Sequence, residues 1–208
     1  MQSMIHSQSP TRAEVADVSN AVMDGTDAVM LSAETAIGDD PVKVISTMSD
    51  VCRGAEKYIL RKGRNAYRID DSFQSIDESI AMAAMYTANH YSISGILAMT
   101  ESGATAKWMS RITSAIPIFA MTRWPTTERR TALYRGVYPV AFDPTGFSPD
   151  DINQQAMTEL KSRQMVKNGD RLVVTQGDWS GISGRTNSMK IITVDDINEV
   201  RPVREKGG

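Results

Sequence analysis

Five short apolar runs between residues 75 and 194 constrain the fold more than any other feature of the sequence. Alternation of strands and helices over such a length is typical of a parallel sheet covered by helices on both faces. Only residues 177–188 join the last two runs, too few for a crossover helix, so the final strand is expected to run antiparallel. The sequence therefore predicts an α/β domain with a mostly parallel five-stranded sheet and an antiparallel last strand. The predicted strands are Gly95–Met99, Ile116–Met121, Val137–Phe142, Arg171–Gln176 and Met189–Val194.

Residues 1–60 have a different pattern, which predicts helix, strand, helix. A capping box at Thr11 and Glu14 opens the first helix, Asp27–Ser32 reads as a buried strand, and a second helix runs from Pro41 to about residue 60. A single strand has no neighbour to complete its backbone hydrogen bonds. We therefore expect this segment to belong to a larger fold whose other strands lie upstream or on another chain.

Residues 61–74 are polar, charged and aperiodic, which indicates a linker between two domains. A second capping box, Ser75 with Glu78, then opens the first helix of the α/β domain. The predicted organisation is thus a first segment at 1–60, a linker at 61–74, a domain at 75–200 and a solvated tail at 201–208.

Composition excludes several classes of function. Hydrophobic residues make up 41% of the chain, charged residues 23%, and the net charge is −2, which favours a soluble globular protein and argues against a nucleic-acid partner. The apolar runs are too short to span a bilayer, and the N-terminus lacks the pattern of a signal peptide. The single cysteine, Cys52, fits a reducing cytoplasm. With only His6 and His90 beside it, a zinc site is not expected.

The loop after the first predicted strand has the chemistry of an anion site. Its hydroxyl groups, its glycine and the free N–H groups at the start of the next helix could hold a phosphate. The alternative is that Ser102 or Thr105 only caps that helix. The candidate binding residues in this loop are Thr100, Glu101, Ser102, Gly103, Ala104, Thr105 and Lys107.

A second loop, between the last two strands, could close over a sugar phosphate at the same end of the sheet. It combines glycines and hydroxyl groups with an arginine and an indole, although a flexible hairpin with incidental polarity would look the same. Its candidate binding residues are Trp179, Ser180, Gly181, Ser183, Gly184, Arg185 and Thr186.

Several motifs closely resemble pyruvate kinase, and the bacterial enzymes most of all. They are Met4–Ile5, Pro10–Val15, Asp24–Ala36 and Leu133–Val137, and the likeness extends over essentially the whole chain. It implies that residues 1–60 are the end of a TIM-type (β/α)8 barrel, in which the lone strand is the last one. The residues from about 75 would be the C-terminal, effector-binding domain.

The resemblance also implies what this chain lacks. Pyruvate kinases transfer a phosphoryl group from phosphoenolpyruvate to ADP and use Mg²⁺ and K⁺, with metal-binding carboxylates, a lysine, arginines and a threonine on earlier barrel strands. Only Ser32 and Glu34 would remain at the mouth of the active site, and capping and packing at a strand end would account for them equally well. We expect no complete catalytic site and no cofactor in this chain.

Two positions depart from the family pattern. Asp40 stands where the family often has tyrosine, which keeps a good helix start but removes an aromatic packing group. Glu101 stands where enzymes responsive to fructose bisphosphate tend to have a neutral or basic residue, and a carboxylate beside a phosphate costs affinity. The resemblance therefore favours a sugar monophosphate or an AMP-like nucleotide, and the residues do not choose between them.

The last predicted strand is expected to lie at the sheet edge. We expect it to pair with its own copy in a homo-oligomer, through residues Ser188–Val194. The tetramers of the family, in which the corresponding strands meet, imply the same contact.

Three interpretations of the whole chain stay open. It is part of a longer pyruvate kinase, a non-enzymatic module that binds a metabolite, or a subunit that completes the barrel of another chain.

Overall fold

The structure is a computed structural model that describes residues 1–62, 72–177 and 186–195. The helices are α1 (Arg12–Met23), α2 (Ala33–Ala36), α3 (Pro41–Lys62), α4 (Ile76–His90), α5 (Ala104–Ser110), α6 (Pro125–Thr131) and α7 (Ile152–Ser162), with short 3₁₀ helices at Gln2–Ile5 and Pro144–Gly146. The strands are β1 (Gly95–Met99), β2 (Ile118–Thr122), β3 (Val137–Ala141), β4 (Arg171–Gln176) and β5 (Ser188–Thr193).

The five strands form one sheet in the order β3-β2-β1-β4-β5. All neighbouring pairs are parallel except β4 and β5, which pair antiparallel with Leu172 opposite Ile192. This confirms the predicted fold class, including the direction of the last strand. The prediction placed the start of β2 at Ile116, whereas the strand begins at Ile118. Pro117 lacks an N–H group and contributes only its carbonyl, which accepts from the N–H of Ile96 at 2.9 Å.

The core has one layer on each face of the sheet. On one face α4 and α5 pack against β1, and the fully buried alanines Ala81 and Ala84 allow α4 to approach closely. On the other face Leu160 of α7 packs with Leu97 and Val174. The carboxyl ends of β1 and β2 therefore open onto loops at a single rim of the sheet.

The capping box predicted for α1 is present. The side chain of Thr11 accepts from the backbone N–H of Glu14, and the carboxylate of Glu14 accepts from the N–H of Thr11 at 2.8 Å. Asp40 acts in the same way for α3, since its carboxylate accepts from the N–H of Lys43 at 2.9 Å. For α4, Ser75 accepts from the N–H of Glu78 at 3.4 Å.

The strand predicted at Asp27–Ser32 is wrong, because these residues adopt no regular secondary structure. The side chain of Met30 is 86% exposed. A strand needs the backbone of a neighbour to pair with, and residues 1–62 supply none among those described. The apolar run at residues 27–32 is therefore not sufficient to form a strand.

Other predictions fall partly or wholly beyond the described residues. Helix α3 extends to Lys62, and the rest of the predicted linker up to residue 71 is not described, nor is the tail at 201–208. In the described part of the chain, none of the helices has the length and apolar character that crossing a membrane requires.

Candidate functional site

The loop between β1 and α5 is held by its own hydroxyl groups. The N–H of Thr100 donates to the carbonyl of Met121 at 3.0 Å, which ties the loop to β2. The Oγ1 atom of Thr100 accepts from the N–H of Gly103 at 2.8 Å, and Oγ of Ser102 accepts from the N–H of Ala104 at 3.4 Å. Each hydroxyl uses its oxygen in these contacts and still carries a proton that it can donate to an anion.

Gly103 is the residue that lets this loop turn into α5. Its φ is +81°, and a Cβ atom there would lie 2.7 Å from Cγ2 of Thr131. Both the left-handed backbone and the close approach of α6 therefore require glycine. This conformation fixes the positions of the hydroxyl groups at 100 and 102.

A buried hydroxyl pair connects this loop to the strand that follows the second candidate loop. Oγ1 of Thr105 lies 2.7 Å from Oγ1 of Thr186, and the two residues are 2% and 7% exposed. The structure thus brings one residue of each predicted loop into contact. The other candidates of the second loop, Trp179, Ser180, Gly181, Ser183, Gly184 and Arg185, lie outside the described residues.

The carboxylate of Glu101 contacts two residues that follow β2. It accepts a hydrogen bond from the indole N–H of Trp124 and lies 3.5 Å from Nε of Arg123. The guanidinium of Arg123 is in turn 4.8 Å from the centre of the Trp124 ring. The negative charge of Glu101 is therefore paired within the protein.

Two residues of α6 support the backbone of the same loop. Oγ1 of Thr127 donates to the carbonyl of Glu101 at 2.7 Å, and Nη1 of Arg130 approaches the carbonyl of Ser102 at 3.4 Å. Lys107 lies exposed on α5, and its N–H donates to the carbonyl of Gly103.

Sequence reasoning missed this contribution from residues 123–130, the loop after β2 and the helix that follows. A usable signal was present, because adjacent parallel strands place their following loops side by side. The pairing of β1 with β2, had it been predicted, would have pointed to Arg123 and Trp124.

Ser32 and Glu34 lie together at the start of α2. The carboxylate of Glu34 accepts from the N–H of Ser32 at 3.0 Å and lies 3.1 Å from the amino group of Met1. Hydrogen bonds from the backbone N–H groups of Glu34 itself and of Ser32 lower the pKa of the Glu34 carboxyl. Glu34 is only 7% exposed and is an ionised group that fixes this turn.

The part of the chain that the structure describes brings together no group of three or more histidine, cysteine, aspartate or glutamate residues that could hold a metal ion. The contacts of the 100–107 loop are those of hydroxyl groups, backbone N–H groups and an internally paired carboxylate. Such a set can bind and orient an anion.

Comparison with known proteins gives matches over both parts of the chain. The family model described as "Pyruvate kinase, alpha/beta domain" matches residues 78–192, and that described as "Pyruvate kinase, barrel domain" matches residues 1–45. The chain is 49% identical over 198 residues to "Pyruvate kinase II" of Salmonella typhimurium, with 94% of this chain and 40% of that protein covered.

Two further relatives give the same result. A pyruvate kinase of Buchnera aphidicola subsp. Schizaphis graminum is 49% identical over 195 residues, covering 93% of this chain and 40% of the relative. One of Dictyostelium discoideum is 34% identical over 203 residues, covering 94% and 39%. The chain thus spans 39–40% of the length of these relatives.

Proposed function

The chain belongs to the pyruvate kinase family, and from this premise we propose that it carries the effector-binding and subunit-contact part of such an enzyme without the phosphoryl-transfer site. In this proposal residues 1–60 are the end of the barrel and residues 75–200 are the effector domain. The observation that carries it is the loop at 100–105, preorganised by Gly103 and joined to Thr186 at the carboxyl rim of the sheet.

The proposed ligand is a sugar monophosphate or an AMP-like nucleotide. The hydroxyl groups of Thr100 and Ser102 would donate to phosphate oxygens, since their own oxygens already accept backbone N–H groups. The loop at 178–185, with Arg185 and Trp179, would contribute the remaining contacts. Glu101 favours a ligand with one phosphate, because its carboxylate neutralises Arg123, which would otherwise attract a second phosphate.

Isothermal titration of the full chain with ribose 5-phosphate, AMP and fructose 1,6-bisphosphate tests this proposal. We expect one of the monophosphates to bind and the bisphosphate to bind more weakly. Ser102→Ala should weaken binding about tenfold or more, because it removes one hydrogen bond to a charged phosphate. Ser162→Ala is the matched control, since Ser162 lies exposed at the end of α7.

A second variant tests the selectivity. Glu101→Gln removes the negative charge and keeps the hydrogen-bonding shape, so it should raise the affinity for the bisphosphate more than for the monophosphate. If none of the three ligands binds the unmodified chain, the proposed function is wrong. If the bisphosphate binds best and Glu101→Gln leaves it unchanged, the assignment of Glu101 is wrong.

For the whole protein we propose the family reaction, phosphoryl transfer from phosphoenolpyruvate to ADP with Mg²⁺ and K⁺, in the cytoplasm. The relatives that carry the name pyruvate kinase support this, as does the single cysteine, Cys52, which fits a reducing compartment.

We also propose a homo-oligomer formed through Ser188–Val194. Strand β5 lies at one edge of the sheet, and the opposite edge strand, β3, contains Pro139. Proline protects an edge strand from pairing, because it cannot donate a ladder hydrogen bond. Strand β5 contains no proline. The side chain of Ile191 is 46% exposed. Among the described residues, no strand pairs with the outer edge of β5, which favours its pairing with a second copy.

A further inference from the structure

Trp124 presents a large aromatic surface beside the candidate phosphate loop. The residue follows β2, and its side chain is 47% exposed. Tryptophan is highly buried on average in folded proteins, because its ring carries a large apolar surface. An indole that stays half-exposed at the carboxyl rim of the sheet is therefore available to a ligand.

The orientation of this indole is fixed by two neighbours. Its N–H donates to the carboxylate of Glu101, and the guanidinium of Arg123 lies 4.8 Å from the centre of the ring. Arg123 therefore covers one face of the ring through a cation–π contact. The opposite face is the one that a ligand can occupy.

The backbone of Trp124 is held as well. Its N–H donates to Oγ1 of Thr122 at 3.3 Å, and its carbonyl accepts from the N–H groups of Thr127 and Glu128 at 3.0 Å each. Pro125 follows and restricts Trp124 to extended backbone, which is observed with φ −96° and ψ 114°. Because the aromatic surface is already ordered, a ligand that packs on it loses little affinity to ordering the side chain.

Glu101 brings the indole next to the hydroxyl groups of the loop. It lies between Thr100 and Ser102 in the chain, and its side chain reaches the indole N–H. Its carbonyl accepts from Oγ1 of Thr127 at 2.7 Å, so the segment that carries the indole is also tied to the loop backbone. The hydroxyl groups and the indole are thus separated by one side chain, much as the phosphate and the base of a nucleotide are separated by one ribose.

We propose that Trp124 is the surface on which the base of a purine nucleoside monophosphate stacks while its phosphate lies on Thr100 and Ser102. This rests on the proposed function, since it requires a phosphate at that loop. Stacking reads the π-face of a base and not its edges, so AMP and GMP should bind alike. A pyrimidine nucleotide has a smaller ring and ribose 5-phosphate has no base, so both should bind more weakly. Trp124 would then distinguish a nucleotide from a sugar phosphate.

Isothermal titration of the full chain with AMP and with ribose 5-phosphate measures the contribution of the base. AMP should bind about tenfold more tightly to the unmodified chain, the effect of one base stacked on an aromatic side chain. Trp124→Leu should remove this advantage and leave the affinity for ribose 5-phosphate within about twofold. Trp124→Phe, which keeps an aromatic face, should retain part of the advantage.

Tyr91→Leu is the matched control. The side chain of Tyr91 is 51% exposed, and its ring centre lies 5.4 Å from the guanidinium carbon of Arg171. Arg171 is the first residue of β4, so this aromatic–arginine pair lies at the amino end of the sheet, away from the loop. The substitution should leave both affinities unchanged.

The indole N–H of Trp124 gives a second readout, in the unmodified chain. Its resonance in ¹H–¹⁵N spectra is assigned by its loss in Trp124→Phe. AMP should shift this resonance through the ring current of the stacked base, whereas ribose 5-phosphate should shift it much less. A merely structural role of Trp124 predicts no such difference between the two ligands.

Three results would overturn the inference and leave the proposed function standing, provided that ribose 5-phosphate binds and depends on Ser102. They are equal affinities for AMP and ribose 5-phosphate, an AMP advantage that persists in Trp124→Leu, and an indole resonance that AMP leaves in place. Absence of binding by both ligands overturns the proposed function and the inference together. Should Trp124→Leu fail to fold, Trp124→Phe and the indole resonance decide the question.

Discussion

At the scale of single residues, Glu14 does more than cap a helix. Its carboxylate accepts from the hydroxyl of Ser3 at 2.5 Å and from the N–H of Ser3 at 2.7 Å, and it also accepts from the N–H and hydroxyl of Thr11. The hydrogen bonds from Ser3, followed by those from Thr11, lower the pKa of Glu14 from 4.5 to about 2. The same group thus joins the first 3₁₀ helix to α1.

This shift predicts acid sensitivity of the N-terminal segment. Because the folded pKa is below the unfolded value, the stabilisation is present above pH 4.5 and is lost as the pH falls from 4.5 towards 2. Local unfolding free energies of α1, from amide exchange corrected for intrinsic rates, should fall by about 1–2 kcal/mol between pH 5 and pH 3. Glu14→Gln should remove most of this pH dependence.

Glu56→Gln is the matched control, since Glu56 is exposed on α3. It should leave the acid response of α1 intact. An equal fall in stability for the unmodified chain and Glu14→Gln would show that the contacts of Glu14 do not stabilise its ionised form.

At the scale of elements, we propose that β5 mediates association of the domain with a second copy. We expect a homodimer at tens of micromolar, and Ile191→Lys should dissociate it, because two lysines near a twofold axis repel each other and lysine blocks edge pairing. Sedimentation equilibrium measures the change. Ile76→Lys, at a residue 67% exposed on α4, is the control. A monomeric unmodified chain, or a dimer that persists in Ile191→Lys, would contradict the interface.

Ile191 is substituted rather than Ile192 because of the direction in which the backbone N–H groups of β5 point. Val194 donates its N–H inward to the carbonyl of Asp170 at 2.8 Å. Because antiparallel residues alternate, the N–H of Ile192 is expected to point inward as well. A proline at 192, a natural choice from sequence alone, would therefore damage the sheet itself, whereas Ile191→Lys changes an exposed side chain.

The elements also show how far sequence reasoning reaches. Strands β1 and β4 are predicted with their observed bounds because each is an apolar run flanked by turn residues. The capping box at Thr11 and Glu14 is predictable because it depends only on residues that are close in sequence. The strand at 27–32 fails because pairing depends on partners that local sequence does not reveal. In the site, the hydroxyl groups at 100 and 102 were predictable, whereas the pairing of Glu101 with Arg123 and Trp124 required knowing that β2 lies beside β1.

At the scale of the whole molecule, we expect an absence of turnover. The isolated chain should give no pyruvate kinase rate with phosphoenolpyruvate, ADP, Mg²⁺ and K⁺, because phosphoryl transfer depends on positioned metal ions and cations and the family resemblance implies that the groups that position them lie on earlier barrel strands. A coupled assay measures this. A Salmonella typhimurium pyruvate kinase II sample serves as the positive control. A rate that scales with the chain and survives repurification would contradict the prediction.

We propose that a sugar monophosphate or an AMP-like nucleotide binds at the loop after β1 and that this part of the chain is regulatory. Titration of the ¹⁵N-labelled chain with ribose 5-phosphate and AMP, followed by ¹H–¹⁵N spectra, locates binding residue by residue. We expect saturable shifts that are largest at residues 100–105 and at Thr186. Absence of shifts, or shifts centred on the groove lined by Lys161, Lys167 and Asn168, would contradict it.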